Sequence, residues 1–494
     1  MSGPIGPDLH GDLVEVASKD GFEDWLSMVR ATGGCANPIH LWGESTALDM
    51  STGEVLTLRE PGRLLVACGN RRTTRCPSCS ETYRADTYQL IRAGLVGGKA
   101  VPTVVSGHPR VFATFTAPSF GAVHAHRSDD HGRPRRCHPA GLRRCLIRHH
   151  ATDPRLGQPL DPSTYDYIGS IIWNGLSTRL WARTVQLTNR RCARLLGIRQ
   201  SDWPASGRVA VAKVSEYQAR GLVHFHAVFR LDGSRPELDP PPGATTELLA
   251  AAIQQAAILA QVAVPISSIL NGMAPIVWGE QLDLKPIDSG GPDHQLSDQQ
   301  VAAYIAKYAT KGADVVGGVD RPLACRPCHG LGSRDGMPCP DCKGTGRPNG
   351  TIPPAANPHA QRMIDTCWTL GGLPELSDLR LRPWAHMLGF RGHFSTKSRR
   401  YSTTLTQLRH ARRDHRDAAF LSSHDLEPTT TVLRIHEGQD GLDPDYYDDA
   451  VLIIGRWRYV GRGHTPGEAI FARTVADDLA VSRRLYREQR GDDN

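Results

Sequence analysis

The sequence predicts an α+β protein whose central sheet is antiparallel. Residues 208–217 and 222–231 are rich in β-branched and aromatic side chains, and a short segment ending in Gly221 joins them, as in a β-hairpin. Helical patterns elsewhere do not alternate regularly with strand patterns, whereas a parallel sheet requires a repeated strand–helix–strand order. The hairpin and the irregular order together indicate an α+β core.

Length and composition restrict the class further. The chain has 494 residues and a formal net charge of +7, which suits about three domains of roughly 150 residues and permits an anionic partner. No apolar run reaches the ~18 residues of a membrane span, and the N-terminus lacks the basic and apolar segments of a signal peptide. We therefore expect a cytoplasmic protein with no membrane partner, and the composition disfavours secreted and fibrous classes.

The region before the hairpin is predicted to contain few regular elements. Residues 1–60 look irregular except for a helical candidate at 21–29, and residues 83–95 have the apolar spacing of a helix. Residues 110–116, RVFATFT, predict a strand that Pro118 ends. The Arg/His-rich segment that follows has no apolar period, so a loop or a small metal-bound insertion is expected there.

Apolar spacing predicts the remaining elements. Thr465 and Pro466 suit the N-cap and the first position of the last helix. The predicted helices cover 165–196 (as one or two helices), 245–261, 297–311, 358–370 and 466–488, and the predicted strands lie near 276–284 and 451–459.

Four of the twelve cysteines form a strong metal-binding pattern. Cys325 and Cys328 make one CxxC pair, Cys339 and Cys342 make another, and each pair is followed by the same glycine pattern, CRPCHGLG and CPDCKGTG. Two residues between thiolates let one turn present both sulfurs to a tetrahedral ion. The spacing predicts a structural zinc site with a closed shell of four thiolates.

A second cysteine cluster lies nearer the N-terminus. Cys76 and Cys79 form a CxxC pair close to Cys68, which predicts a second zinc site. Cys35 is the nearest candidate for the fourth ligand, with His40 behind it in the sequence.

Other cysteines are less clear. Cys137 and Cys145, with His149 or His150, could form a third metal site, but incidental cysteines in an Arg-rich loop explain them equally well. The two cysteines in helical patterns, expected to be buried thiols, are Cys192 and Cys367.

Two histidines in the second hairpin strand are candidate metal ligands. His224 and His226 are separated by one residue, so on a strand both imidazoles project from one face while their neighbours pack the other. Glu216 on the preceding strand could add a third ligand. The alternative is a merely polar face, and His-x-His pairs also arise by chance. We interpret His124 and His126 as such a pair, because they follow a turn in a polar loop.

The helix predicted at 297–311 carries tyrosines and lysines at helical spacing. Tyr304 and Tyr308 are four residues apart, as are Lys307 and Lys311, so each pair shares a face. Taken alone, this pattern is equally typical of an ordinary amphipathic helix with no function at these residues. Together with a histidine metal site, however, the pattern suits phosphodiester transesterification, in which a tyrosine attacks phosphorus and lysine neutralises the developing charge.

The segments EYQARGLVHFH and YIAKYATK resemble motifs of HUH endonucleases, specifically rolling-circle replication initiators. Histidines precede the tyrosines, as in initiators, whereas conjugative relaxases have the reverse order. The doubled tyrosine is similar to that of two-tyrosine initiators, and RVFATFTAPS resembles the first motif of the family. GCANPIHLWG and GFRGHFSTKSRRYSTT further resemble replication initiators of actinomycete plasmids and integrative elements.

The resemblance implies roles for individual residues. His224 and His226 would bind a catalytic Mg²⁺ or Mn²⁺, with Glu216 less surely the third ligand. Tyr304 and Tyr308 would be the nucleophiles, and which of them attacks first stays open. A second tyrosine, where related single-tyrosine initiators have a glutamate, suggests two successive transesterifications.

Basic residues are concentrated in two stretches. Residues 391–416 carry eight Lys or Arg against Asp414, with Phe390, Phe394 and Tyr401 interleaved, a pattern that suits phosphate contacts and base stacking. A solvated basic face is the alternative. The basic residues of this stretch are Arg391, Lys397, Arg399, Arg400, Arg409, Arg412, Arg413 and Arg416, of which the first four are the principal candidates for binding DNA. The second run is Arg133, Arg135, Arg136, Arg143, Arg144 and Arg148.

The sequence thus predicts an HUH core from 105 to 320, preceded by a zinc-tied region, 1–104, and followed by a four-cysteine zinc module, 321–350, and a basic region, 351–494. Such a protein would nick plasmid origin DNA, bind single strands, keep the 5′ phosphate on tyrosine and free a 3′-OH primer. The chain has no P-loop motif, so a host helicase would unwind the DNA for a host polymerase. A non-catalytic zinc-ribbon DNA-binding regulator and a related HUH transposase are the alternatives.

Overall fold

The computed structural model describes residues 9–50, 52–141, 144–265, 270, 272–287, 297–348, 354–423, 431–436 and 450–489. The chain forms two compact units. Met1–Asp86 and Thr404–Asn494 form one, which we call the terminal unit, and Thr87–Thr403 form the other, the central unit.

The described residues contain α-helices, short 3-10 helices and strands. The α-helices are α1 (Leu9–Ala17), α2 (Phe22–Ala31), α3 (Pro77–Val96), α4 (Tyr167–Leu195), α5 (Trp203–Ser206), α6 (Thr246–Leu259), α7 (Asp298–Ala309), α8 (Pro358–Leu370), α9 (Leu405–Ser423) and α10 (Pro466–Gln489). The 3-10 helices are Thr103–Gly107, Ala313–Val316, Pro374–Leu379 and Ala385–Met387. The strands are β1 (Ile39–Asp49), β2 (Val55–Val66), β3 (Arg110–Phe115), β4 (Arg127–Ser128), β5 (Pro134–Arg135), β6 (Arg208–Tyr217), β7 (Val223–Asp232), β8 (Gln261–Val262), β9 (Ile276–Val277), β10 (Leu282–Pro286), β11 (Ser333–Arg334), β12 (Met337–Pro338), β13 (Ser395–Lys397), β14 (Thr431–His436) and β15 (Ala450–Arg462).

The terminal unit is a four-stranded sheet with helices packed on it. Its strand order is β14-β15-β1-β2, and the long central pair β1 and β15 is antiparallel. A small apolar core joins α1, α2, β2 and α10, because each contributes buried side chains. These side chains are Val16, Trp25, Val29, Leu65, Ala472 and Val475.

The expectation that residues 1–60 are largely irregular is wrong, because α1, β1 and the first half of β2 lie there. β1 pairs on one side with β2, which follows it directly, and on the other with β15, more than 400 residues later, and no local pattern signals the second pairing. Pro61 and Gly62 lie inside β2 where its register with β1 shifts. The edge position of β2 and this bulge accommodate a residue that has no N–H to donate.

The last helix begins where the sequence predicts. The Thr465 hydroxyl accepts a hydrogen bond from the Glu468 backbone N–H, and the Glu468 carboxylate accepts one from the Thr465 N–H. This reciprocal pair is a capping box, which satisfies two donors that the first helical turn leaves open. It confirms Thr465 as the N-cap.

The central unit is built on a five-stranded sheet of order β10-β3-β7-β6-β13, in which every neighbouring pair is antiparallel. One face of β6 and β7 packs into the main core with α4, α6 and α8, and Val223, Phe225 and Ala227 are fully buried there. The prediction of a mixed α+β protein with antiparallel sheets is confirmed. The strand expected near 276–284 is divided into β9 and β10.

A buried asparagine of α4 holds the turn between β6 and β7. Asn174 is fully buried, and its side-chain amide donates to the Gly221 and Leu388 carbonyls at 3.0 and 2.8 Å. Its carbonyl oxygen accepts from the Val223 N–H at 3.1 Å. Because buried polar groups are costly unless paired, these bonds orient the hairpin turn relative to the long helix.

Helix α7 lies on the other face of the sheet. Ser297 caps it through a capping box with Gln300. Its first residue, Asp298, accepts a hydrogen bond from the buried Arg110 guanidinium of β3 at 2.8 Å. The helix is therefore anchored at its N-terminus to the strand that pairs with β7.

Candidate active site

The β6–β7 hairpin brings three metal-ligand side chains onto one face. Glu216 pairs with His224 across the two strands, and His226 is two residues further along β7. The Glu216 Oε2 atom is 3.1 Å from His224 Nε2 and 3.2 Å from His226 Nε2, and the two nitrogens are 3.2 Å apart. These three atoms converge on one point, so we call these residues the triad.

The triad fits a divalent cation by its chemistry. Two imidazole nitrogens that face each other beside a carboxylate stabilise one another little, whereas a cation between them would be a partner for the lone pairs of all three groups. Thr114 of β3 lies on the far side of His226, with its Oγ1 3.0 Å from Nδ1. A hydrogen bond from Nδ1 to this hydroxyl leaves the Nε2 lone pair free for a metal, as partners of metal-bound histidines do.

The electrostatics of the triad favour a ligand-competent state. Burial alone would raise the pKa of Glu216, but the neighbouring His224, His226 and Lys311 side chains outweigh it and lower the pKa to about 2. Burial lowers the pKa of His226, whose side chain is only 3% exposed. Glu216 is thus an anion and His226 a neutral imidazole at neutral pH, which is the state that metal binding requires.

Tyr304 stands directly against the triad. Its hydroxyl is 3.4 Å from His226 Nε2, and its ring meets the imidazole edge to face, with centroids 4.9 Å apart. The ring also contacts Phe112 of β3 edge to face. Tyr304 keeps 36% of its surface exposed, so a substrate can reach the phenol. Burial, followed by the neighbouring Tyr308, raises its pKa above the ordinary tyrosine value.

Tyr308 lies one helical turn further along the same face. Its ring is nearly parallel to that of His226 at a centroid distance of 5.5 Å, and it is 4.7 Å from the ring of Tyr304. Lys311 Nζ lies 4.1 Å from the Tyr308 ring centroid, and Lys307 Nζ lies 5.6 Å from it. Both phenols therefore border the triad, and Tyr308 has two lysine side chains nearby.

Lys311 links the end of α7 to the triad. Its Nζ is 3.0 Å from Glu216 Oε1, the oxygen that does not face the histidines. The residue follows α7 by two positions, so the helix is tied to the sheet at this end as well. The arrangement leaves Glu216 Oε2 directed at the two histidines.

The structure brings together all of the triad, tyrosine and lysine residues that the sequence singles out. Thr114 and Phe112 of β3 were missed. The register pairs Thr114 with His226, so the motif RVFATFT carried the signal, but only a known strand pairing reveals which of its side chains face the histidines.

The four-cysteine module has the form that the spacing predicts. The four sulfurs belong to buried residues whose ligand atoms lie within 4.8 Å of one another, so they could hold a zinc ion. The N–H groups of Gly332 and Gly346 donate to the sulfurs of Cys328 and Cys342 at 3.4 and 3.3 Å. Both glycines have positive φ, a conformation that other residues adopt only with strain.

The N-terminal cysteine cluster is also assembled. Cys35 Sγ lies 3.7 Å from the sulfurs of both Cys76 and Cys79, and Cys68 Sγ lies 3.7 Å from that of Cys79. These four could hold a second zinc ion. His40, the residue behind Cys35, instead has its Nε2 beside the Gly463 carbonyl oxygen.

The two cysteines of the helical patterns are buried thiols, as the sequence predicts. Cys192 and Cys367 are fully buried in the main core of the central unit. Burial raises the pKa of the Cys192 thiol to about 12, which keeps it protonated and unreactive.

The basic stretch 391–416 is divided between the two units, since residues up to Thr403 belong to the central unit and α9 to the terminal unit. Arg399 is exposed. Lys397, Arg400 and Arg391 are engaged with the carbonyls of Ser402, Ser234 and Asp378. In α9, Arg412 forms a two-bond ion pair with Asp86 at 2.7 and 2.8 Å.

The aromatic residues of this stretch do not offer faces for stacking bases. Phe390 and Tyr401 are fully buried and Phe394 is nearly so. Phe390 and Phe394 pack against each other, and the Tyr401 hydroxyl donates to the Ile91 carbonyl. The expectation of stacked bases is therefore wrong, because these rings pack in the protein interior.

The fold and the site together define a class of protein. It is a mixed α+β protein with a histidine–carboxylate triad next to a tyrosine-bearing helix, and with four-cysteine clusters that could hold zinc. Residues 21–477 match the family described as "RepSA: Replication initiator protein, pSAM2". The chain belongs to this family of replication initiator proteins.

A relative supports the same assignment over nearly the whole length. The chain is 42% identical over 496 aligned residues to a "Replication initiator protein" of Streptomyces ambofaciens, with 98% of this chain and 96% of the relative covered. No solved structure matches the chain. Among the described residues, no helix combines the length and the apolar character needed to span a membrane.

Proposed function

We propose that this replication initiator is an HUH endonuclease that nicks one strand of its origin DNA through a phosphotyrosine intermediate. The observation that carries the proposal is the Tyr304 hydroxyl, 3.4 Å from His226 Nε2 and partly exposed beside the triad. A phenol held at a site for a divalent cation has the arrangement that tyrosine attack on phosphorus requires.

Glu216, His224 and His226 would hold the catalytic ion, and Mg²⁺ or Mn²⁺ suits a set that includes a carboxylate and leaves room for phosphate oxygens. The bound ion supplies Lewis-acid stabilisation of the charge that develops on the scissile phosphate. Lys311 already pairs with Glu216 Oε1, so the triad carries a compensating charge on the side away from the histidines.

In the nicking step, a tyrosine oxygen forms a bond to phosphorus while the bond from phosphorus to the 3′ oxygen breaks. The 5′ phosphate stays on the tyrosine, and the 3′ oxygen gains a proton that balances the one lost by the phenol. Because the pKa of Tyr304 is raised above its ordinary value, the phenol is neutral in the free protein and loses its proton only as attack proceeds.

Two tyrosines at one triad suit two successive transesterifications. The rings of Tyr304 and Tyr308 are 4.7 Å apart, so a strand held on one phenol stays within reach of the other. Lys307 and Lys311 lie near the Tyr308 ring, where their charges stabilise phosphate oxygens. The second attack would release the finished strand without hydrolysis.

The remaining parts of the proposal concern partners and location. The two four-cysteine clusters would hold structural zinc, and origin DNA and single strands would be the nucleic-acid partners, with Arg391, Lys397, Arg399 and Arg400 as candidate contacts. Since the sequence contains no P-loop, a host helicase would unwind the origin, and a host polymerase would extend the 3′-OH in the cytoplasm.

The test is a covalent-adduct assay. The full chain is incubated with Mn²⁺ and supercoiled DNA of its own replicon, and the products are separated on a denaturing gel. We expect a protein–DNA adduct that is reduced by Tyr304→Phe or Tyr308→Phe and lost in the double variant. Tyr459→Phe, at an exposed tyrosine of the terminal unit, is the matched control and should leave the adduct unchanged.

Two outcomes contradict the proposal. Absence of an adduct with the parent chain, while origin binding persists, would favour a non-catalytic zinc-containing DNA-binding protein. An adduct that survives the double tyrosine substitution would show that another residue attacks. Cleavage at the ends of a mobile element instead of an origin would indicate the related transposase chemistry.

A further inference from the structure

The loop between β3 and α4 contains four side chains that the triad and the cysteine clusters do not use. His124, Cys137, Cys145 and His149 offer ligand atoms that lie within 4.8 Å of one another. His124 Nδ1 is 3.0 Å from His149 Nε2, and Cys145 Sγ is 3.3 Å from the same nitrogen. Both cysteines are free thiols.

This cluster differs from cysteines that happen to lie in a loop. Cys137 is fully buried and Cys145 nearly so, yet neither belongs to the main apolar core of the central unit. The segment around them is exposed and rich in arginine. The Cys137 sulfur lies 3.1 Å from His138 Nδ1 and the Cys145 sulfur 3.3 Å from His149 Nε2. Thiols buried beside imidazoles gain little hydrophobic stabilisation without a ligand.

A second interaction orients one of the histidines as a metal ligand. His149 Nδ1 is 2.7 Å from the Asp153 carboxylate, which also accepts a hydrogen bond from Arg155. A carboxylate on Nδ1 fixes that proton and presents the Nε2 lone pair to the cluster, as in carboxylate–histidine–zinc arrangements. The Cys137 sulfur accepts a hydrogen bond from the Ala125 N–H at 3.2 Å, so the backbone beside His124 also helps to place this side chain.

We propose that these four residues form a third structural zinc site, a centre of two cysteines and two histidines that fixes the arginine-rich loop onto the β6–β7 hairpin. Two thiolates and two imidazoles are a standard tetrahedral zinc set and close the coordination shell. The site resolves the choice between His149 and His150, since His150 is exposed and hydrogen-bonds Thr152. It also corrects the interpretation of His124 as half of a chance pair.

The loop is packed against the turn that joins the two ligand-bearing strands. The backbone of His124 exchanges hydrogen bonds with Gly157 and Gln158. A Cβ on Gly157 would lie 2.1 Å from the Ala219 carbonyl carbon, so only glycine permits this approach to the hairpin turn. The Arg220 guanidinium in the same turn donates to the Ala117 and Pro118 carbonyls, where the loop begins.

The site thereby holds basic side chains at the triad end of the sheet. Glu216 and His224 lie within a few residues of the hairpin turn, and Gly157, whose N–H bonds His124, packs against that turn, so the zinc-bound loop with its exposed arginines is tied to this end of the sheet. Their charge suits the phosphates of a DNA strand that approaches the triad. The described exposed arginines of the loop are Arg127, Arg133, Arg135, Arg136, Arg144, Arg148 and Arg155, the last of which pairs with Asp153; Arg143 lies outside the described residues.

Zinc content and ligand type test the site directly. We expect three sulfur-bound zinc ions in the full chain, and X-ray absorption should report ten sulfur and two nitrogen ligands across them, as the three clusters provide. Cys137→Ala should remove one zinc and leave an all-sulfur average. Cys145→His, which keeps four ligands, should retain the third ion.

The controls are two histidines of the same loop that are exposed and outside the cluster, His131 and His150. Their replacement by alanine should leave the zinc content unchanged. Two zinc ions with an all-sulfur shell in the parent chain would overturn the proposal. If Cys137→Ala is insoluble, the ligand average of the parent chain decides the question alone.

The role of the loop is tested by the salt dependence of binding to single-stranded DNA. For each phosphate that the protein no longer neutralises, the slope of log affinity against log salt should become shallower by about 0.7. We expect Cys137→Ala to have a shallower slope than the parent and Cys145→His to match the parent. An unchanged slope after loss of the third zinc would contradict a role in DNA binding. Neither readout depends on DNA cleavage, so these outcomes are independent of the nuclease proposal.

Discussion

The hydroxyl of Thr114 offers a test of the triad that leaves every proposed ligand in place. It lies 3.0 Å from His226 Nδ1 and is the partner that orients this imidazole. Replacement by valine keeps the shape and the β-branched side chain that suits strand β3, and it removes only the hydrogen bond.

The expected magnitude follows from the burial of His226. Its side chain is 3% exposed, so water cannot replace the lost partner, and Nδ1 is left unsatisfied or the ring turns away from the metal. Loss of such a partner typically weakens metal binding about 10–100-fold, which corresponds to roughly 1.4–2.8 kcal/mol. We expect Thr114→Val to fall in the upper part of this range.

Binding of Mn²⁺ to the full, zinc-loaded chain measures this effect, with free Mn²⁺ followed by electron paramagnetic resonance. Thiolate sites disfavour Mn²⁺, so the signal reports the triad. Thr188→Val is the matched control, because this buried threonine of α4 donates only to the Thr184 carbonyl. It should leave the affinity for Mn²⁺ unchanged.

Two results would refute this reasoning. A change below about threefold in Thr114→Val would mean that the hydroxyl does not orient a metal-bound imidazole. An equal loss in Thr188→Val would attribute the effect to general destabilisation of the central unit. His224→Ala should abolish binding, and retained affinity there would place the ion elsewhere.

Three further predictions concern stability. Burial lowers the pKa of Lys213 to about 7. Between about pH 7 and 10 the unfolded state therefore binds more protons, and the free energy of unfolding rises with pH by up to ~1.4 kcal/mol per unit. Lys213→Met should remove this slope in denaturant titrations at several pH values, and an equal slope in both proteins would mean that Lys213 is charged when folded. Asn174→Ala leaves the Gly221 carbonyl and other buried groups unpaired, so thermal and denaturant unfolding should show a loss of about 2–4 kcal/mol; a loss below about 1 kcal/mol would mean that the asparagine does not hold the turn. Arg412→Ala should lower stability by less than about 1 kcal/mol, because the Arg412–Asp86 ion pair is partly exposed. It should leave the slope of log DNA affinity against log salt unchanged, because Asp86 already engages the guanidinium. A shallower slope would show that Arg412 contacts phosphate.

Much of the central unit could be predicted because its signals are local. The hairpin strands alternate or cluster β-branched residues next to a short turn, and α8 has an N-cap, a proline at its first position and regular apolar spacing. The observed bounds of α8 coincide with the predicted range 358–370. The triad follows from the same locality, since strand period and a tight turn place Glu216 opposite His224.

The missed features depend on contacts distant in sequence. β1 lies between the adjacent β2 and the distant β15, and the segments of β1 and β15 contain no information about each other. Phe390 and Tyr401 alternate with basic residues, a pattern that resembles a solvent-facing surface, yet both rings are buried. His124 joins Cys137 and His149 only through the path of a loop that has no period, so spacing could not identify the fourth ligand.

The two ties of α7 bear on how the two proposed nucleophiles would share one triad. Arg110 holds Asp298 at the start of the helix, and Lys311 holds Glu216 just beyond its end. Residues four apart on a helix are separated by about 6 Å along its axis, so Tyr304 and Tyr308 cannot occupy the same place. With both ends of α7 tied, exchange between the phenols would require the DNA strand to move rather than the helix. This favours Tyr304, whose hydroxyl already lies at His226, as the residue that meets the first scissile phosphate.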